Sequence, residues 1–378
     1  MPRSRHYLLL MALSMSTTIA QDDASTRAAT RALPVAAKTQ DDKAMLRAAA
    51  DLTRDLIAAR PTLYWADMAG SAVVGYAALV GAVMLSGGLA VAAGVVAVLA
   101  LYRAMSFIHE VSHMKHNGAM RGFRQGWDAI VGVPMLIPSF MYEGVHNLHH
   151  AKTRYGTVDD PEYLQLALMK PWTLPLFILV SALAPLGLLI RYGLLAPLSL
   201  VVPGLRRVVM ERYSALAINP QFRRRAPEGE ARAYWNRVET AAGLWAMALI
   251  ALVATGVLPL RAFAIGFAIA AAVAVLNQVR TLVAHLWEND GEAMSVTAQY
   301  LDSVNVPPPT LLPMLWAPVG LRYHALHHLL PGLPYHALGE AHRRLTAALD
   351  EGSPFHKASY TGLPFLVGKI ARSTMGLR

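Results

Sequence analysis

Residues 68–102 read MAGSAVVGYAALVGAVMLSGGLAVAAGVVAVLALY and contain no charged side chain. These 35 residues are too many for one bilayer crossing and enough for two short ones. We place the break between the two crossings at Ser86-Gly87-Gly88. The stretch therefore predicts a hairpin of two membrane-spanning helices.

Two further apolar regions extend this pattern. Residues 240–260 and 262–279 are uncharged runs separated only by Arg261, and they predict a second hairpin. Residues 172–202 are apolar but are broken by prolines and by Arg191, so we expect a re-entrant or interfacial pair of short helices there. The predicted fold class is thus all-α: four transmembrane helices in two hairpins, interfacial or re-entrant helices, and a cytoplasmic helical cap.

The composition agrees with an integral membrane protein. Charged residues make up only 15% of the 378 residues and hydrophobic residues 55%, whereas a soluble domain carries about 25% charged residues. The formal net charge is +10, which with this hydrophobicity favours contact with lipid headgroups over nucleic acid. The chain has no cysteine, so disulfides, iron–sulfur clusters and cysteine-held zinc or haem are excluded.

The first 62 residues differ from the rest of the chain. Residues 1–20 resemble a secretory signal, with a basic start, a short apolar core and a small residue at Ala20, but an interfacial helix is the alternative. Residues 21–62 are polar and mixed in charge, and residues 44–59 have a helical composition. We therefore divide the chain into an N-terminal tail, residues 1–62, and a membrane domain, residues 63–378.

Arginine placement predicts the orientation. The segment between the two hairpins is rich in arginine, while the short turns near Gly87 and Arg261 carry almost no charge. Because cytoplasmic loops are enriched in Lys and Arg, the long segments should be cytoplasmic and the turns external. An exported N-terminus would contradict this arrangement. We expect a bacterial inner-membrane protein with its functional groups on the cytoplasmic side.

Nine of the 14 histidines cluster in these long segments. On a helix, residues at i and i+4 share a face, and residues at i and i+3 lie beside them, so HxxxH and HxxHH motifs aim imidazoles in one direction. An even number of crossings would place all nine on the same side of the membrane. The nine candidate metal ligands are His109 and His113, then His146, His149 and His150, then His285, and finally His324, His327 and His328.

Nine imidazoles exceed the needs of one metal ion. A catalytic zinc site takes about three protein ligands, whereas two ions with four or five imidazoles each would use all nine. Iron suits imidazole ligands and redox work with O2, so we expect two iron ions as cofactor. Haem is a weaker alternative because the apolar helices contain no isolated histidine. A metal transporter or sensor is another, but transport sites normally lie within the membrane helices.

The three histidine groups resemble the histidine boxes of the membrane fatty acid desaturase superfamily, over residues 68–342. The third box, residues 323–334 with the sequence YHALHHLLPGLP, is similar to that of acyl-lipid desaturases, including its Leu-x-Pro. His285 corresponds to the extra histidine that completes nine ligands in stearoyl-CoA-type members. Those members also have an Asn four residues earlier that holds a metal-bound water. Here that position is Thr281, and Asn277 lies one turn before it.

The resemblance implies a di-iron enzyme that uses O2 and two electrons to desaturate an acyl chain, a lipid-linked one as in the acyl-lipid branch of this family. No electron-carrying domain is fused, so the resemblance implies a separate donor of the ferredoxin, rubredoxin or cytochrome b5 type. The Arg-rich segment 206–237 could dock an acidic donor, or could serve only topology and lipid contact. A lipid, alkane or carotenoid hydroxylase or ketolase on the same scaffold is the alternative function.

Several polar residues near the boxes have open roles. His116 could be a ligand or lie behind the ligands, and the acidic residues could orient imidazoles through the other ring nitrogen. Turn formation is the alternative for Asp160-Pro161. The acidic and amide candidates are Glu110, Asp159, Asp160, Glu162, Glu288, Asn289 and Asp290.

Overall fold

The computed structural model describes residues 40–114 and 117–375. The predicted signal segment, residues 1–20, and His116 lie outside the described residues. Within that part of the chain the structure is helical and contains no β-strand, only isolated backbone bridges, so the predicted all-α class is confirmed. The helices are α1 Lys43–Leu52, α2 Pro61–Met84, α3 Gly87–Met114, α4 Phe123–Trp127, α5 His146–His149, α6 Thr173–Leu179, α7 Ala184–Ile190, α8 Ala196–Val201, α9 Pro203–Arg212, α10 Gly229–Ala254, α11 Leu260–Leu282, α12 Val296–Asp302, α13 Pro313–Trp316, α14 His324–Leu329, α15 Leu338–Ala348 and α16 Leu363–Thr374.

The first predicted hairpin is formed by α2 and α3. Its turn falls where the sequence predicts it, between Met84 and Gly87, and Gly87 adopts a positive φ of 59°. The two helices approach closely, because a Cβ atom on Gly75 would lie only 2.7 Å from the side chain of Leu101. Helix α3 continues beyond the apolar run to Met114, so its last turns project a rigid helical face into the cap.

The second hairpin is formed by α10 and α11. Helix α10 begins at Gly229, earlier than the apolar run, and the turn between the helices spans residues 255–259. Arg261 lies in the first turn of α11 and donates to the carbonyl oxygen of Val83 at 3.1 Å, which ties the two hairpin turns together. Helix α11 packs against α2 and α3 and against the segment of α6 and α7, so the two hairpins belong to one bundle.

The segment predicted as two short helices is one helical run. Helices α6, α7 and α8 are joined by a 3₁₀ turn and a π turn, and together residues 173–201 are long and apolar enough to cross a membrane. The two parts of this run have separate contacts. Leu174 packs beside Trp287, and the guanidinium of Arg191 donates to the carbonyl oxygen of Tyr213 at 2.9 Å.

In the described part of the chain, five helical runs therefore qualify as membrane spans by length and composition, one more than the four predicted. The return from Val201 is made by α9, whose 10 residues rise only about 15 Å, half the hydrocarbon thickness. This length favours an interfacial position for residues 173–201. Four crossings in two hairpins stays a prediction.

The cap is built from the short helices that follow each hairpin. Helix α1 belongs to it, because Met45 and Ala49 are buried against α15 and the segment around Phe355. The described part of the predicted tail thus packs on the cap, while the domain boundary at residue 62 stays a prediction. A second cluster around Trp287 and Tyr163 joins α6, α12 and α16 beneath the end of α11.

Candidate metal centre

The first histidine pair lies on the last turns of α3. His109 and His113 are one helical turn apart and face the same side, as the HxxxH spacing predicts. His109 is 3% exposed, and neither of its ring nitrogens has a hydrogen-bond partner within the structure. The long, well-packed helix holds both rings rigidly at the membrane end of the cap.

The second group is carried by the one-turn helix α5 and its C-cap residue His150. The Nε2 atoms of His146 and His150 lie 2.9 Å apart, whereas the Nε2 atom of His149 lies 3.3 Å from that of His285. The helix therefore divides its histidines between two directions.

The third group and His285 are held together by an extended segment, residues 303–306. His285 forms an isolated antiparallel bridge with Ser303, and Asn305 forms one with Tyr323, just before α14. The side-chain oxygen of Asn305 accepts a hydrogen bond from the backbone N–H of Leu326 at 3.0 Å. This segment fixes α14 against the end of α11, although the two elements are about 40 residues apart in the chain.

The structure brings all nine predicted histidines together, in two groups. Within each group one ring nitrogen per residue lies within 4.8 Å of the others. Site 1 contains His109, His113, His146, His150 and His327, and site 2 contains His149, His285, His324 and His328.

The two HxxHH motifs exchange their middle histidines. In each motif the first and last histidines point to one site, and the middle histidine points to the other. His149 thus joins the site formed mainly by α14, and His327 joins the site formed mainly by α3 and α5. This exchange links the two sites covalently through both short helices, so neither site can move independently of the other.

The donor chemistry of both sites fits metal ions. The rings are buried, and for six of them burial lowers the pKa, with neighbouring histidines adding to the effect. Neutral imidazoles have a lone pair available for a metal, and facing Nε2 atoms about 3 Å apart can satisfy only part of their demand with one another. The histidines with lowered pKa are His146, His150, His285, His324, His327 and His328.

Two carboxylates that the sequence singled out support the second histidine group. Glu162 lies 2.9 Å from the Nδ1 atom of His146, and Asp160 lies 2.9 Å from the Nδ1 atom of His149. Burial raises the pKa of Glu162 to about 7. For His149 burial opposes the charged form, but the Asp160 carboxylate outweighs it and raises the pKa. Both contacts orient the rings so that Nε2 faces the metal site.

The sequence analysis assigned no role to the tyrosines of this outer layer. Tyr155 places its hydroxyl 2.8 Å from the Nδ1 atom of His285 and donates to Asp302, also at 2.8 Å. Asp302 accepts a second hydrogen bond from Tyr163, and burial raises its pKa to about 6. Sequence spacing offered no signal for Asp302, because it lies 147 residues from Tyr155.

The remaining acidic candidates differ in their surroundings. Glu110 accepts a hydrogen bond from the Tyr64 hydroxyl at 2.5 Å and places its other carboxylate oxygen 3.4 Å from the Nδ1 atom of His109, whereas Asp159 is exposed. At the position of the Asn of the stearoyl-CoA-type enzymes, the Thr281 hydroxyl donates to the carbonyl oxygen of Asn277 at 2.9 Å.

A bundle of apolar helices with two buried histidine groups that could each hold a metal ion is typical of a membrane-bound metalloenzyme. Comparison with protein families gives the same result: the Fatty acid desaturase family matches residues 86–359. The chain belongs to this family, so the expected resemblance is confirmed, and it is an integral membrane protein.

One curated relative shows how the family's chemistry divides. The chain is 49% identical over 337 residues to "Ceramide hydroxylase" of Caulobacter vibrioides (strain NA1000 / CB15N), a match that covers 89% of this chain and 95% of the relative. No solved structure matches. The comparisons support an oxidoreductase that acts on a lipid-type substrate. They fit the hydroxylase alternative at least as well as the desaturase that the sequence analysis preferred.

Proposed function

We propose that the protein hydroxylates a ceramide-type lipid with O2 at a histidine-held di-iron centre. The observation that carries this proposal is the 49% identity to a ceramide hydroxylase along almost the full length of both chains. The two histidine sites supply the matching chemistry, since their nine ring nitrogens converge on two neighbouring points. Hydroxylation consumes one C–H bond, O2, two electrons and two protons, and gives the alcohol and one water.

In this proposal the chain's own residues hold and shield the reacting groups. Bound iron supplies the redox chemistry with O2 that side chains lack. The five histidines of site 1 and the four of site 2 are the proposed ligands. Asp160 and Glu162 hold the rings of His149 and His146 in the required orientation. The buried cap excludes bulk water, which protects a reactive centre from side reactions.

Desaturation is the second candidate, and it rests on the third histidine box. Residues 323–334 resemble the third box of acyl-lipid desaturases. Desaturation uses the same O2, two electrons and two protons but removes a second hydrogen atom, so that the products are an alkene and two waters. The two outcomes differ in the position of neighbouring C–H bonds at the centre.

We place the electron donor at an arginine-lined cavity of about 680 Å³ on the cap. Arg224 in its wall donates to the carbonyl oxygen of Glu143 at 2.8 Å, and the adjacent Tyr142 stacks on the ring of His146. Between site 1 and an acidic ferredoxin, rubredoxin or cytochrome b5-type protein docked there, the intervening residues would be Arg224, Glu143 and Tyr142. The cavity is lined by Pro203, Arg206, Arg207, Met210, Glu211, Arg223, Arg224, Arg225 and Ala226.

The same arginines agree with a cytoplasmic active site. They follow the interfacial run and lie on the side of the bundle that carries the histidines. Under the positive-inside tendency, this side faces the cytoplasm. We therefore propose that the iron centre and the donor site both open to the cytoplasmic side of a bacterial inner membrane.

Lipid analysis tests the proposed reaction. The protein is expressed in a host that makes ceramides without this modification, and the lipids are analysed by mass spectrometry. Gain of one oxygen atom on ceramide is expected; loss of two hydrogens would favour desaturation, and no change in ceramide would contradict the proposed substrate. His149→Ala should abolish product and lower bound iron, while His356→Ala, a histidine outside both sites, should not.

A second experiment tests the donor site. Reversing two cavity charges with Arg223→Glu and Arg225→Glu should slow reduction by an acidic donor about 10-fold at low salt, and the difference should shrink as salt screens the charges. Arg372→Glu makes the same change at an exposed position outside the cavity and should have little effect. Equal rates for all variants would contradict this docking site.

A further inference from the structure

Arg280 is a buried cation at the membrane end of the metal centre. It lies on the inward face of α11 with Val273 and Ile269, and it is 9% exposed. Apart from Arg261 at the opposite end, α11 contains no other charged residue. A charged side chain in such a position is costly and is usually retained for function.

The guanidinium has too few partners within the protein. Its Nε atom has no hydrogen-bond partner, and it forms no ion pair with any carboxylate that the structure describes. The group lies beside the hydroxyl of Tyr102, which itself donates to the carbonyl oxygen of Trp316 at 2.9 Å and so can accept from Arg280. The buried Nε–H donor is thus left without an acceptor among the described residues.

The same group is close to both metal sites. It lies in the last turn of α11, five positions before His285 of site 2. Its charge also acts on Tyr142 and Glu162, whose side chains contact His146 of site 1. Arg280 therefore lies where the apolar helix α11 meets the two histidine groups.

We propose that Arg280 binds an oxygen atom of the substrate's polar head, so that the enzyme oxidises a carbon close to that head. This inference rests on the proposed function and specifies which part of the lipid reacts. Guanidinium groups donate only, so their ligand must offer oxygen lone pairs. A ceramide carries amide and hydroxyl oxygens near the start of both its chains, whereas the middle of an acyl chain has only methylenes that would leave the cation unsatisfied.

This assignment predicts that the buried charge contributes to binding and not to folding. Replacing an unpaired buried charge by an apolar side chain of similar length is often neutral or stabilising. Arg280→Met should therefore unfold at the same or a higher temperature than the wild type in the absence of lipid. A purely structural arginine would instead lower the unfolding temperature when replaced.

Binding is measured on metal-free, full-length protein in nanodiscs, by competition between a dihydroceramide and an alkane of the same chain length. The wild type should prefer the dihydroceramide, and Arg280→Met should reduce that preference by about 10- to 100-fold, as expected for one charge-assisted hydrogen bond. Arg280→Lys should retain part of it. Arg261→Met removes the arginine at the other end of the same helix and should leave the preference unchanged.

Product analysis on the iron-loaded enzyme completes the test. Arg280→Met should raise the KM for ceramide and spread the position of oxidation along the chain. If the wild type oxidises ceramide near its head and Arg280→Met keeps both lipid preference and product position, the assignment of Arg280 is wrong and the proposed function stands. If Arg280→Met loses bound iron but keeps lipid preference, the assignment is also overturned. If the wild type neither binds nor oxidises ceramide, both proposals fail.

Discussion

Replacing Asp160 by asparagine tests how far the outer layer controls the metal centre. The carboxylate is completely buried, and three N–H groups point at it: the Nδ1 atom of His149 at 2.9 Å, and the backbone N–H groups of Gly156 and Glu162, both at 2.8 Å. Both carboxylate oxygens accept hydrogen bonds, so this side chain holds the loop that follows α5 together.

The expected effect follows from counting these acceptors. Asparagine keeps one oxygen and turns an N–H₂ group toward a donor that it cannot satisfy. Loss of one hydrogen bond to a charged group, together with one buried unsatisfied donor, costs about 2–5 kcal/mol in the free energy of unfolding. With the ring of His149 no longer fixed, affinity for iron at site 2 should fall about 10- to 100-fold.

The assay compares Asp160→Asn with Asp159→Asn. Iron affinity is measured by competition with a chelator, and thermal unfolding is recorded for the metal-free protein in detergent. Asp159 is exposed, so the same chemical change at the neighbouring position should alter neither quantity. Because Asp160 raises the pKa of His149, protons compete with iron for the His149 ring more strongly in the wild type than in Asp160→Asn. The difference in iron affinity between the two proteins should therefore narrow as the pH falls. Iron affinity of Asp160→Asn within twofold of the wild type would refute the orienting role.

Three further changes have defined outcomes. Thermal unfolding of the metal-free protein should shift to lower temperature as the pH falls below about 6.5. Burial lowers the folded-state pKa of six cap histidines, so the unfolded chain binds more protons than the folded one in this range. An unfolding temperature that stays constant from pH 8 to 5 would contradict this. Gly156→Ala should destabilise more than Gly144→Ala in thermal unfolding, since both glycines have positive φ but only at Gly156 would a Cβ atom meet Asn289, at 2.3 Å; equal losses would show that strain alone matters. Glu239→Gln should lower the free energy of unfolding by about 3–5 kcal/mol. The buried guanidinium of Arg191 lies 2.5 Å from the Glu239 carboxylate and would lose its counter-charge. A loss below about 1 kcal/mol would show that other groups compensate.

The membrane segments show where local sequence suffices and where it does not. The uncharged run at residues 68–102 predicted the first hairpin with its turn, because helix length and hydrophobicity are local properties. The structure of residues 172–202 was harder to predict, since prolines near the starts of α6, α7 and α8 are accommodated in one continuous helical run. Whether that run crosses depends on what it packs against, and not on its own composition.

The sequence by itself determined which histidines share a helix face, because the i, i+4 spacing of a helix fixes the first and last residue of each HxxHH motif on one side. His146 pairs with His150 and His324 with His328 as this spacing requires.

Only the tertiary structure decided that the middle histidines exchange sites, that Asp302 supports His285 through Tyr155, and that a lone arginine stands under the metal centre. These contacts join residues far apart in the chain, such as His113 and His327, which are separated by 214 positions. Such pairings are set by how the helices pack in three dimensions, and the order of residues along one helix carries no information about them.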